Sequence, residues 1–505
     1  MFKSKFLVAG LLLASAFVLS CKTGLISGGD VPPPQIQAAP AQPLVVNGVR
    51  TSYADVVEKT SPAVVRIEAE HKEKATTQQQ SPFPDDMLRQ FGIPGGPNQN
   101  QGQNQRPQIE RGLGSGVIVS ADGSILTNHH VVDGAEKITV MTSDNKSYDA
   151  KVVGSDTPSD LAVLKIEAQN LPFLTLGNSD SVRVGDIVLA IGNPLGIGQT
   201  VTAGIISAKG RRTGLSDGSQ DAYEDFLQTD APINRGNSGG ALVNLNSELI
   251  GINSQILSPG GAGGGNIGIG FSIPSNMAKT VMEQLLKDGK VHRGMLGINI
   301  QNVTDDTAKA LELKERSGIL VSNVKAGSAA DKAGVKRGDV ITAINGEKIE
   351  DSNVLRNKVA GSTPGTAIKL TILRDGKETE MTATLDEFNP EDAKKAATGK
   401  DDPNGATPQN QGGKLGLSLE PVTPQTAKQL GLDSDSEGLV VTDVDPAGVA
   451  AEAGMARGDV ILEINKKPVK SVADVKTALD GAGDRPLLLL ISRRGRTSYL
   501  TVKPH

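Results

Sequence analysis

The chain has 505 residues, with 52 basic against 57 acidic side chains and a formal net charge of −5, a length that gives room for about three domains. That balance lacks the basic field a phosphate backbone requires, and with no Trp, 4 Tyr and 9 Phe the chain has few base-stacking platforms, so nucleic acid is excluded as a partner. The 59 glycines, with apolar residues drawn mostly from Val, Ile, Leu and Ala, favour β-rich cores joined by tight turns.

Lys3 and Lys5 precede the apolar run FLVAGLLLASAFVLS, which ends at Cys21. The run is short for a spanning helix of about 20 residues and reads as the core of a signal peptide over 1–20. VLSC at 18–21 is similar to a bacterial lipobox, with Val18 where leucine is more usual. Cys21 is therefore the expected lipidation site; an ordinary secretory signal with an incidental cysteine is the alternative. It is the only cysteine in the chain, which excludes an intramolecular disulfide and a zinc site built on a cysteine pair. Residues 21–52, rich in Gly, Pro, Gln and Ala, read as a flexible tether.

Residues 53–288 are expected to form one domain. Its regular pattern begins near Tyr53 and is interrupted at 71–112 by a Gln/Asn/Pro/Gly-rich stretch that cannot supply a packed core. Within it, the apolar island MLRQFGI (87–93) reads either as random loop or as a docking element for another subunit. From 113 to 274, runs such as SILTN, EKITVMT, GDIVLAIGNP and ALVNLNSELIGINSQI alternate with turn residues, which predicts an all-β barrel or sandwich. SNMAKTVMEQLLKDG (275–289) differs: Ala278, Val281, Met282, Leu285 and Leu286 follow helical spacing, with Ser275 as the expected N-cap and Gly289 as the stop.

The remainder repeats itself. GILVSNVKAGSAADKAGVKRGDVITAING (318–346) aligns with GLVVTDVDPAGVAAEAGMARGDVILEINK (438–466) at a constant offset of 120 residues. Two homologous domains follow, over 290–388 and 413–505, joined by a linker at 389–412.

The stretch INRGNSGGAL (233–242) places Ser238 among three glycines. A serine hydroxyl near neutral pH needs a base to remove its proton. Of five histidines, only His129 and His130 lie in the β-rich region. A third group must orient the imidazole, and Asp160 in TPSDLAVLKI sits at the mouth of an apolar run. The order His130, Asp160, Ser238 is that of chymotrypsin-type proteases. The glycines suit an oxyanion hole over Gly236, Asn237 and Ser238: amides two apart converge only if the chain bends sharply, and Gly239 and Gly240 let the next strand pass close. This chemistry requires no metal and no cofactor.

TNHHVVDGA, SDLAVLKI, GNPLG, QTDAPINRGNSGGALVN and GNIGIGFSIPSNM together resemble the blocks of the HtrA/Deg family of bacterial envelope serine proteases, and the two repeats look like its PDZ domains. The resemblance spans about nine-tenths of the mature chain. It selects His130 over His129, because the family's histidine stands directly before two valines. It implies a mainly β architecture: a chymotrypsin-like double β-barrel protease domain followed by two α+β PDZ domains. It further implies trimers as the building unit, a periplasmic location and ATP-independent degradation of misfolded envelope proteins, often alongside chaperone activity. A holdase or scaffold in which proteolysis is secondary is the alternative.

The position six before the nucleophile, acidic in trypsin-like enzymes, is Pro232, and Asp230 is out of register. Ile233 is therefore expected to line a small apolar pocket for aliphatic P1 residues. Leu296, Gly297 and Ile298 are the expected carboxylate-binding segment of a PDZ groove for C-terminal peptides. Leu415, Gly416 and Leu417 are either a second groove or an assembly contact. By resemblance, the loop at Arg211 senses activation and acts on 236–238.

Overall fold

The computed structural model describes residues 45–46, 49–72, 109–193, 198–213, 223–234, 236–257, 265–389, 415–432, 436–483 and 485–503. Cys21, the signal run, most of the tether, the island at 87–93 and nearly all of the expected linker lie outside them. The segment up to Ser52 is a unit of its own, in which β1 (Val45–Val46) and β2 (Val49–Arg50) pair antiparallel.

The second unit starts with helix α1 (Ala54–Thr60). The first barrel follows: β3 (Val64–Lys72), β4 (Ile109–Ile118), β5 (Ser124–Thr127), β6 (Lys137–Met141), β7 (Ser147–Asp156) and β8 (Leu161–Ile166). These close in the order β3-β4-β5-β8-β7-β6. Between β5 and β6 lies the one-turn helix α2 (His129–Val132). The second barrel holds β9 (Ile187–Gly192), β10 (Thr200–Arg211), β11 (Phe226–Thr229), β12 (Ala241–Asn244), β13 (Leu249–Ile256) and β14 (Gly270–Pro274), closing as β10-β11-β14-β13-β12-β9.

Short apolar runs form these strands because both barrel interiors must be filled. Ile67, Ile118, Ile125, Leu126, Leu161, Leu164 and Ile166 are buried in the first; Val188, Ile206 and Leu227 are in the second, while Leu189 and Ile191 on the other face of β9 join the cluster that holds the first set. Each such side chain contributes about 1.5–3 kcal/mol by leaving water. The helix expected at 275–289 is α3 (Ser275–Asp288), which packs across β7 and β8 of one barrel and β13 and β14 of the other. Gly289 ends it in the left-handed region at φ 69°, as expected. Ser275 does not cap it. Pro274 takes the cap position, and the buried Ser275 hydroxyl donates to the Gly177 carbonyl at 2.7 Å.

The repeats fold alike. The first copy has the small pair β15 (Gly294–Met295) and β22 (Asp386–Glu387). Its main sheet contains β16 (Ile298–Asn302), β17 (Ile319–Val324), β18 (Val340–Ile344), β19 (Glu347–Lys348), β20 (Ala367–Arg374) and β21 (Lys377–Thr384). Helices α5 (Ala329–Lys332) and α6 (Ser352–Ala360) pack on it, whereas α4 (Asp305–Ala310) lies against the strands at 487–493 and 496–502 of the second copy. The second copy has β23 (Leu417–Pro421), β24 (Leu439–Val444), β25 (Val460–Ile464), β26 (Lys467–Pro468), β27 (Leu487–Arg493) and β28 (Arg496–Val502), with α7 (Pro424–Gln429), α8 (Val449–Glu452) and α9 (Val472–Ala482).

The sheet orders β16-β17-β18-β20-β21 and β23-β24-β25-β27-β28 correspond strand for strand. The repeated Gly-Asp pair is structural: buried Asp339 and Asp459 are each gripped by an arginine, Arg374 at 2.7 Å and Arg493 at 2.6 Å. The two copies also share an apolar wall that includes Val303, Leu320, Val340, Leu488, Leu490 and Tyr499. No helix among the described residues is long and apolar enough to cross a membrane.

Candidate active site

The two barrels bring His130, Asp160 and Ser238 together. His130 opens out of α2, where Asn128 is the fully buried cap residue in extended conformation. Asp160 ends a 3-10 turn, Thr157–Ser159, in the left-handed conformation at φ 54° and ψ 40°. That geometry aims its carboxylate at the helix: Oδ2 lies 2.9 Å and Oδ1 3.0 Å from His130 Nδ1, and Oδ1 also accepts the His130 amide at 3.0 Å. The Asp160 carbonyl accepts from the Asn128 side-chain amide at 3.0 Å and the His129 amide at 3.1 Å. The acid is therefore held at both its main chain and its side chain.

Ser254, on β13, joins acid and nucleophile. Its hydroxyl donates to Asp160 Oδ2 at 2.9 Å, and its carbonyl accepts from the Ser238 hydroxyl at 3.0 Å. Among the described residues no hydrogen bond joins Ser238 Oγ to His130, so the hydroxyl is parked on the backbone.

The glycines do what close approach demands. Gly236 takes φ 93° and Gly239 φ 82°, a region only glycine enters without strain. A Cβ on Gly239 would lie 2.1 Å from the Ser115 carbonyl oxygen, and one on Gly240 would lie 2.3 Å from that of Ile191. The turn is pinned by Ser115 on β4: its amide donates to the Ser238 carbonyl at 2.8 Å and its hydroxyl to the Gly236 carbonyl at 2.6 Å. The same hydroxyl accepts the Asn193 amide at 2.8 Å. Asn237 is buried, and its amide closes onto the Asn234 carbonyl at 3.0 Å. Among the described residues, nothing accepts from the Gly236 or Ser238 amides.

Ile233 is buried beside Val188, Ala190 and Leu242 of the second barrel, and its side chain fills the space a Cβ on Gly270 would need. Asp230 is occupied elsewhere, accepting the Ile205 amide at 2.7 Å. Arg211 is exposed at the end of β10. Of the loop after it, Arg212, Thr213, Tyr223, Glu224 and Asp225 are described: the Thr213 amide donates to the Glu224 carboxylate at 2.7 Å, its hydroxyl accepts from Gln255 of β13 at 2.8 Å, and Tyr223 and Glu224 contact the turn before Asp160 and the first repeat. The Tyr223 amide donates to the Pro158 carbonyl at 2.6 Å, while Asn353 and Asn357 of α6 donate to the Glu224 carbonyl at 3.1 and 2.9 Å. Arg293, between α3 and β15, makes a buried bidentate pair with Asp156 at 2.7 and 2.6 Å and lies 5.1 Å from the Tyr223 ring centre. Asp156 in turn caps the turn leading to Asp160, accepting the Ser159 amide at 3.0 Å.

Leu296, Gly297 and Ile298 lead into β16, an end strand of its sheet. The Leu296 and Gly297 carbonyls are fixed by the Ala330 and Lys325 amides at 2.9 and 2.8 Å. Leu415, Gly416 and Leu417 lead into β23 in the same way, with the Leu415 and Gly416 carbonyls taken by Ala450 at 3.3 Å and Asp445 at 2.8 Å. Among the described residues no group of three or more His, Cys, Asp or Glu is placed to hold a metal ion.

Sequence reasoning missed Ser115, Asn128 and Ser254. Each is a polar residue inside or beside an apolar run and nearly or fully buried, and a buried polar residue must have a partner. That was the available signal, but only barrel closure shows which partner.

The comparisons with known proteins agree with this geometry. A profile described as a trypsin-like peptidase domain matches residues 114–252, and two PDZ domain profiles match 294–385 and 440–493. A probable periplasmic serine endoprotease DegP-like of Chlamydia pneumoniae is 39% identical over 92% of this chain and 92% of its own length. The periplasmic pH-dependent serine endoprotease DegQ of Escherichia coli is 40% identical over 90% of this chain and 91% of its own. A solved structure named HtrA-type protease AlgW with tripeptide is 42% identical, covers 68% of this chain and 99% of that one, and superposes with a TM-score of 0.54.

Proposed function

The chain belongs to the HtrA family of serine endoproteases, and on that premise we propose that it degrades misfolded envelope proteins in the periplasm without ATP. The observation that carries this reading is the hydrogen-bonded series Ser238–Ser254–Asp160–His130. Ser238 Oγ turns from the Ser254 carbonyl to His130 Nε2 and attacks the scissile carbonyl carbon as its proton passes to the imidazole. Asp160 holds the Nδ1 proton and stabilises the imidazolium. The Gly236 and Ser238 amides receive the oxyanion, each donor worth about 3 kcal/mol of barrier, with Asn237 shaping the turn between them. The imidazolium then protonates the leaving amine, and a water deprotonated by His130 releases the acyl group.

The assignments that complete this reading are an apolar P1 pocket at Ile233, a peptide groove with its carboxylate loop at Leu296, Gly297 and Ile298, and a second groove at Leu415–Leu417. Arg211 marks the activation loop, Cys21 carries a lipid that tethers the chain to a membrane, and trimers or assemblies of trimers are the working form. The domain division is 53–288, 290–388 and 413–505, with a signal at 1–20, a tether at 21–52 and a linker at 389–412. The holdase alternative has one supporting observation, the parked Ser238 hydroxyl. A fluorophosphonate probe tests the proposal: it labels the wild-type protein, fails to label S238A, and S238A loses casein cleavage. Cleavage that survives S238A overturns it. Suppression of aggregation retained by S238A supports a chaperone activity beside proteolysis.

A further inference from the structure

His129 has no part in the chemistry above, although it stands beside the base. Its side chain is largely buried, with Nε2 3.1 Å from the Thr157 hydroxyl and 3.7 Å from Asp133. Its Nδ1 is buried without a partner among the described residues. The tautomer that leaves no buried N–H unpaired carries its proton on Nε2, so the ring donates to Thr157 Oγ1.

Thr157 begins the turn that ends in Asp160, and its carbonyl accepts the Asp160 amide at 3.1 Å. The His129 amide donates to the Asp160 carbonyl at 3.1 Å. One residue thus grips both ends of the turn, by its ring at 157 and by its main chain at 160. The turn needs holding, because Asp160 sits in the left-handed region at φ 54°, a strained conformation that persists only when its surroundings enforce it.

We propose that His129 is a positioning residue for the known reaction: through Thr157 it holds the catalytic-acid turn in the conformation that presents the Asp160 carboxylate to His130. The backbone bond is available to any residue at 129 but proline, so the ring's share can be isolated. The inference rests on Asp160 being the orienting acid.

Steady-state cleavage of denatured casein by the full chain tests it. H129A loses about tenfold in kcat, a fraction of what general-base catalysis supplies, with KM within twofold. H129Q, whose terminal amide can reach the Thr157 hydroxyl, recovers most of the loss. T157V reproduces the H129A defect, and the H129A/T157V double variant is no slower than either single variant, as expected for one shared contact. Should H129A fail to fold, T157V alone carries the test. Full kcat in H129A or T157V, no recovery in H129Q, or additive losses in the double variant overturns the proposal. D160A separates the two layers: activity retained there removes the triad assignment, whereas activity retained only at position 129 or 157 removes this inference alone.

Discussion

Ser254 binds the acid with its hydroxyl and the resting nucleophile with its carbonyl. Only the first contact depends on its side chain. A hydrogen bond to a charged acceptor is worth about 1.5–3 kcal/mol, and each ~1.4 kcal/mol is tenfold in rate. S254A is expected to lower kcat about tenfold with KM unchanged, as read from steady-state kinetics. Specificity is also decided at this scale. With Pro232 where an acid would select Arg or Lys, and Asp230 bound to the Ile205 amide, peptides cut after Val or Ala should outrun those cut after Arg or Lys in kcat/KM. The reverse order would remove the apolar pocket.

That His130, Asp160 and Ser238 belong to one constellation was legible in sequence, because residue type and order point to it, and the hydrogen bonds His130–Asp160–Ser254–Ser238 join them. The choice between His129 and His130 was not legible from the residues alone, since both lie in one β-rich stretch and resemblance decided it. Ser115 and Asn128 were invisible for a different reason: a lone serine or asparagine next to strand residues looks the same whether it holds a catalytic turn or faces water.

Among the elements, the turn at 157–160 is held from several sides. Asp156 caps it, and Arg293 neutralises Asp156 from the segment leading into the first PDZ domain. Both side chains are under a tenth exposed. Removing one member of such a pair strands the other charge in a poorly solvated site, a loss of about 3–5 kcal/mol. R293M should therefore lower stability by that amount in denaturant unfolding, and D156N/R293M should regain part of it. Equal stability of R293M and wild type would show the pair to be dispensable. The repeat at an offset of 120 residues predicted two homologous domains, and their sheets correspond strand for strand. The same text gave no hint that Arg293, at the start of the first repeat domain, fastens the protease turn, because a buried ion pair across 137 residues of sequence leaves no periodic trace. Ser275 was expected to cap α3 by its residue type; the prolyl residue before it takes that place, and tertiary contact with Gly177 uses the hydroxyl instead.

At the scale of the molecule, α6 of the first PDZ domain rests on Tyr223 and Glu224. Asp225 is caught in that contact. Burial, with the neighbouring Asp180 charge, pushes its carboxyl up to about 6 from 3.8; Asp351 adds to the rise, while Asn357 and Lys209 oppose it. The docked state thus holds a proton that an undocked, solvated Asp225 would release. The resulting contribution to docking is fully present below pH 3.8 and is lost as pH rises through about 6. Hydrogen exchange in α6 should accordingly be slower at pH 5 than at pH 7.5 once corrected for intrinsic rates, and D225N should flatten the difference. Greater protection of α6 at the higher pH would contradict this sign.

The wall shared by the two PDZ domains also has a mechanical meaning. Parting them would wet Leu488, Leu490 and Tyr499 on one side and Val303, Leu320 and Val340 on the other, at about 25 cal/mol for every Å² of apolar surface exposed. A force on either PDZ domain is therefore carried by both. That load meets the protease domain where Arg293 is locked to the buried Asp156.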